Sequence, residues 1–218
     1  MRRRVLAAAA LWLALAAAAA PASAQGQLYD PEPPPGSAYL RVMNALPAEA
    51  EVRLPANPPR RLGTQPDQRV TEYLVMQNVA GRPVALEFAA GQARGGASIA
   101  VEPGRFVTVR RHLDAAGRPA ATPIVEETEF NRARARLALY NVAAGCPAAR
   151  LVLLPGGQGV FTEVPPLGTR ARSVVPVTAE LRAECGGTAT PAFPLAGLEA
   201  GGMYSIWMIG GGGSPLQA

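Results

Sequence analysis

Past its first two dozen residues the chain nowhere keeps a helical period for three turns, because 23 glycines and 22 prolines are scattered through its 218 residues. Short strands remain. Ala50, Val52 and Leu54 face one way while Glu49, Glu51 and Arg53 face the other, the period-two pattern of a half-buried strand. Comparable runs lie at Ala38 to Met43, Val70 to Met76, Val84 to Phe88, Phe106 to Arg111, Arg136 to Asn141, Leu151 to Leu154, Ser173 to Val177 and Met203 to Ile209. This spacing predicts an all-β chain of immunoglobulin-like β-sandwich modules.

An internal repeat sets the number of modules. Leu40-Arg41-Val42-Met43-Asn44 returns 97 residues later as Leu137-Ala138-Leu139-Tyr140-Asn141. At the same offset, Val101-Glu102-Pro103-Gly104 before Phe106-Val107-Thr108-Val109 is echoed by Leu198-Glu199-Ala200-Gly201 before Met203-Tyr204-Ser205-Ile206. Register kept at both ends implies duplicated domains, far longer than solenoid units; chance agreement of two short strand patterns is the alternative. The expected layout is one sandwich over 37–113, a linker over 114–131, a second sandwich over 132–210 and a flexible Gly-rich tail over 211–218.

The front of the chain reads as an export signal. Arg2, Arg3 and Arg4 precede an apolar run from Val5 to Ala20, and Pro21-Ala22-Ser23-Ala24 supplies a small-residue cleavage pattern. Residues 1–24 are therefore expected to be removed, leaving a periplasmic chain that starts at Gln25; a retained anchor is the alternative. Loss of those arginines takes the formal charge from +5 to +2, too small to suggest nucleic-acid binding. Residues 25–36 hold Pro31, Pro33, Pro34 and Pro35 and read as an extended arm, with Leu28 and Tyr29 as candidate contacts for a partner or for the chain's own sandwich. In an oxidising compartment the lone pair Cys146 and Cys185 is expected to form a disulfide, since neither Cys-x-x-Cys spacing nor nearby histidine favours a metal or reactive-thiol role.

Catalytic chemistry is thin. The sole histidine, His112, follows Arg110 and Arg111 at a strand end and reads as a solvated edge residue. Glu126, Glu127 and Glu129 crowd the expected linker and read as solvated. No metal cage or phosphate loop is recognisable, and no cofactor is expected. Trp207, the one tryptophan after cleavage, reads as core. Arg132, Arg134 and Arg136, spaced by two on an expected strand, would aim three guanidinium groups to one side, a candidate grip for uronate carboxylates or an acidic partner.

The run from Leu28-Tyr29 through Pro31, Pro34, Gly36-Ser37, Tyr39, Arg41 and Asn44 resembles the amino-terminal signature of the AlgF family of alginate O-acetylation accessory proteins. Ile124 to Phe130 followed by Ala135 to Asn141 resembles that family's inter-domain segment and second opening strand. The resemblance implies a periplasmic, non-catalytic, two-sandwich adaptor. Its implied partners are SGNH-like O-acetyltransferases and a membrane-bound O-acyltransferase that modify an exported exopolysaccharide. Two other readings stand beside it. One is a polysaccharide-binding module of another glycan-acetylation system, such as that of acetylated cellulose. The other is an acetyl relay through Ser37 or Ser205.

Overall fold

The computed structural model describes residues 34–114, 116–126, 131–211 and 213–218. The expected signal peptide, most of the arm with Leu28 and Tyr29, and Glu127 and Glu129 lie outside the described residues.

The first half contributes β1 (Ala38–Asn44), β2 (Ala50–Arg53), β3 (Arg60–Leu62), β4 (Leu74–Met76), β5 (Val84–Ala90), β6 (Ala93–Ile99), β7 (Phe106–Leu113) and β8 (Pro119–Glu126). The second contributes β9 (Ala135–Asn141), β10 (Ala149–Leu154), β11 (Gln158–Val164), β12 (Thr169–Val174), β13 (Ala179–Cys185), β14 (Thr188–Ala189), β15 (Phe193–Leu195), β16 (Met203–Gly211) and β17 (Ser214–Gln217). The fold is an all-β sandwich architecture. In the first half a sheet ordered β4-β1-β7-β8 packs on one ordered β3-β2-β5-β6. In the second, β12-β9-β16-β17 packs on β11-β10-β13-β14, with β15 also on β13.

The alternation seen in the sequence explains the packing. Ala38, Leu40 and Val42 of β1 point inward with Val52, Leu86, Phe88 and Val107 to form the first core. Leu137 and Leu139 of β9 meet Leu151, Phe161 and Leu181 in the second. Both halves place their first strand beside a parallel partner in the same register, Tyr39 opposite Phe106 and Arg136 opposite Met203. Both close that strand with an asparagine that has no solvent exposure. Asn44 Nδ2 donates to the carbonyls of Ala48 and Gly63, and Asn141 Nδ2 to those of Cys146 and Val164, each at 3.0 Å. The asparagine thus ties the turn after the strand to a neighbouring loop.

The immunoglobulin-like detail is not shown, and two further expectations need correction. The immunoglobulin order sets its first strand beside the second, whereas β1 here lies between β4 and β7. β1 is hydrogen-bonded along both edges, antiparallel to β4 and parallel to β7. Residues 119–126 of the expected linker form β8, which pairs with β7 along eight registered positions. Pro119 and Pro123 are tolerated there because β8 is an edge strand, which needs no outward N–H. Nor do residues 211–218 form a loose tail: β17 pairs with β16 and buries Leu216.

That last hairpin depends on Gly211, whose φ is +75° and whose added Cβ would strike the backbone oxygen of Ala144. Gly211→Ala is expected to cost about 2 kcal/mol through left-handed strain and lost contact. Urea denaturation would register this as a lower midpoint with an unchanged slope.

Candidate functional site

The outer sides of the two sheets that contain β1 and β9 supply a second buried layer, a seam between the halves. Met43, Ile124, Ala138, Tyr140, Val142 and Ile209 form its apolar part, with Ala45 and Trp207 packed against it. Repeat-related positions share this cluster: Met43 and Tyr140, and Ala45 and Val142, each 97 residues apart. The described residues accordingly form one compact unit.

At the seam sits Arg41, an outward residue of β1 whose side chain is only 11% exposed. Its Nε donates to Thr108 Oγ1 at 2.8 Å. Its Nη2 lies 3.1 Å from Glu126 Oε1, 2.8 Å from Tyr140 Oη and 3.1 Å from Ser205 Oγ. Thr108 and Ser205 are themselves repeat equivalents, so both halves grip the same guanidinium from matching positions. Rings of Tyr73, Tyr140 and Trp207 surround it, their centroids 4.5, 5.4 and 4.9 Å from Cζ. Tyr140 also stacks on Trp207 at 3.8 Å.

Glu126 completes the arrangement. Thr108 Oγ1 donates to its Oε1 and Tyr140 Oη to its Oε2, the latter at 2.6 Å. Burial pushes this carboxyl upward, but the charge of Arg41 and the hydroxyl donors outweigh it and hold it below the usual carboxylate range. Burial pushes the Tyr140 phenol up to about 12, with Glu126 adding to the rise and Arg41 opposing it. Burial likewise raises Tyr73.

A depressed folded value means Glu126 stabilises the protein above its unfolded value and loses that contribution as pH falls through the folded one. The melting temperature is therefore expected to hold near neutrality and drop below about pH 4.5. The Glu126→Gln variant should have a lower plateau and a shallower acid limb in the same series of melts.

Few residues singled out in the sequence come together here. Glu126 is not solvated: it is 2% exposed, because β8 carries it into the seam rather than across a linker. Trp207 lies in neither sandwich core but against Tyr140 at the seam. Arg132, Arg134 and Arg136 do not form a stripe on one strand. β9 begins only at Ala135, since hydrogen bonds from Arg134 N to Asn131 O and from Gly201 N to Arg134 O hold the preceding residues in a turn. Arg132 and Arg134 are exposed in that turn, whereas Arg136 is 6% exposed on the strand.

His112 is engaged by Thr122 Oγ1 at 2.8 Å and the Leu113 carbonyl at 2.7 Å, on the β7–β8 pair. Ser37 is buried beside the turn that opens β1. Cys146 and Cys185 are joined as expected, with Cα atoms 5.8 Å apart. Among the described residues no group of three His, Cys, Asp or Glu is placed to hold a metal ion. None of their helices is long and apolar enough to cross a membrane.

Beside the network a cavity of about 260 Å³ is walled by Met43, Val70, Phe193, Leu195, Ser205 and Trp207. It falls just below the usual range for ligand pockets. Ser205 at its wall receives a hydrogen bond from Arg41, and the nearby Tyr140 donates its own proton to Glu126, so no base faces the serine from this group.

No family model matches the chain, and no curated protein matches it. Among solved structures, the Bacillus anthracis TIE protein aligns with 80% of this chain at 8% identity and a TM-score of 0.27. The chain spans about a third of that protein, 34% of its length.

Proposed function

We propose that this chain is a non-catalytic periplasmic adaptor required for O-acetylation of an exported polysaccharide, alginate in the first instance. It would act by holding SGNH-like O-acetyltransferases near a membrane-bound O-acyltransferase. The observation that carries this reading is how the chemistry-bearing side chains are used. Glu126 is kept ionised inside an ion pair, Ser205 and Tyr140 are tied to the same arginine, and His112 bridges two strands. Each serves cohesion, and what the molecule offers outward is rigid sandwich surface.

The likeness of the opening segment and of β9 to the accessory proteins of alginate acetylation supports the pathway. Removing the gene in the host should leave polymer export intact but strip acetyl groups from the polymer. Polymer with its full acetyl content from the deletion strain would end this reading. An acetyl relay predicts a mass gain when purified protein meets an acetyl donor; an adaptor predicts none.

A further inference from the structure

The connection from β4 to β5, residues 77–83, crosses one end of the first sandwich. Val79 plugs that end, 2% exposed, with its amide bonded to the Gly36 carbonyl at 3.1 Å. On either side of the connection lies a hollow, of about 420 and 520 Å³, and the two share Val79, Arg82 and Pro83 as a common wall. The first is lined by Val75, Met76 and Val84, the second by Val101, Val107 and Val125. Val75 and Val125, 39% and 58% exposed, are large aliphatic side chains left open to solvent here.

The charge at this end is cationic. Arg82 is exposed and makes no ion pair among the described residues. Arg105 meets Glu102 only at 3.5 Å, both largely in solvent, a contact of little energetic weight. Two guanidinium groups thus face one carboxylate across aliphatic hollows. The aromatic rings nearby are spent on each other, Tyr39 stacked on Phe106 at 4.2 Å and Tyr73 edge-on to Phe106 at 5.0 Å, so no ring lines either hollow to stack on a sugar.

We propose that this end of the first sandwich is a docking groove for an extended, acidic polypeptide segment of a partner, which places aliphatic side chains in the two hollows and carboxylates on Arg82 and Arg105. In an extended segment, side chains two apart share a side while their neighbours point elsewhere. Aliphatic residues can thus enter both hollows while intervening acids reach the rim. The proposal rests on the adaptor reading and gives that adaptor a specific surface.

The test uses the full mature chain labelled for amide NMR and three probes: a six-residue peptide alternating Glu with Leu or Val, its Lys counterpart, and an oligouronate. The acidic peptide should shift the amides of Val79, Arg82, Val101 and Val125, and the Lys peptide should not. Arg82→Glu and Arg105→Glu should each weaken the acidic peptide about tenfold, while leaving the remaining spectrum, and hence the fold, unchanged. No shift at these amides, or equal affinity in both variants, overturns the groove. Equal shifts from the oligouronate overturn the choice of a polypeptide. In parallel, the wild-type chain and an Arg82→Glu, Val125→Glu variant are tested for capture of the purified acetyltransferase. Capture by both refutes the groove and leaves the adaptor standing, whereas capture by neither refutes the adaptor and leaves the peptide titration to decide the groove.

Discussion

Arg41→Ala should be among the most damaging single substitutions in this protein, lowering its stability by about 3–5 kcal/mol. The guanidinium is held by both halves, and its removal leaves Glu126, 2% exposed, as a buried carboxylate facing hydroxyl groups and no cation, those of Thr108 and Tyr140 among them. Glu126→Gln should cost less, since its one amide oxygen still accepts from one of the two hydroxyls and its amide nitrogen can donate to the other. Replacing the pair together by Met at position 41 and Leu at position 126 should recover much of the loss, because desolvation of both charges is then avoided. At roughly 2–4 °C per kcal/mol for a chain of this size, the Arg41→Ala change corresponds to a fall of about 6–20 °C in Tm. Calorimetry of the wild type, Arg41→Met, Glu126→Leu and the double variant in a double-mutant cycle measures the coupling. If Arg41→Ala melts within a degree of the wild type, the network does not hold the halves together.

The second large effect concerns the disulfide. Cys146 and Cys185 are separated by 39 residues, a loop whose closure is worth about 4 kcal/mol in the chain-entropy model. Both cysteines belong to the second core, Cys146 buried within it and Cys185 packed against it, and none of the first core's residues depends on them. Reduction, or replacement of both cysteines by Ser, should therefore destabilise the second half selectively. Hydrogen exchange with and without reductant reads this directly. Amides of β9, β10 and β13 should lose protection by orders of magnitude while those of β2, β5 and β7 change little. A uniform loss across both halves would mean that the seam transmits the whole effect.

The strands were legible because their cause is local. The alternation of Ala50, Val52 and Leu54, or of Leu137 and Leu139, is visible within a few residues, and the 97-residue offset matched β1 to β9 and β7 to β16 at their first residues. The seam was not legible, because what buries Arg41 and Glu126 lies across a second sandwich, 99 residues away at Tyr140 and 164 at Ser205 in the case of Arg41. One signal was present all the same. The outward positions of β1 are Tyr39, Arg41 and Met43, where those of β2 are Glu51 and Arg53, and an outward row so poor in acids marks a covered side. Glu126 was misjudged by its neighbours in sequence, since the acids beside it suggested a solvated stretch. The arginine pattern failed for a related reason: period two has meaning only inside a strand, and the turn before Ala135 ends it.

Arg41 has no counterpart in the second half, where the matching position is Ala138. Had two identical copies met through this surface as separate molecules, strict twofold symmetry would have brought a pair of guanidinium ions to the axis, with mutual repulsion in a dry environment. Joining the copies in one polypeptide removes that constraint. A single cation can then occupy the centre, with alanine at the matching position of the other half, and the halves become free to diverge on every other surface while this contact keeps them in register.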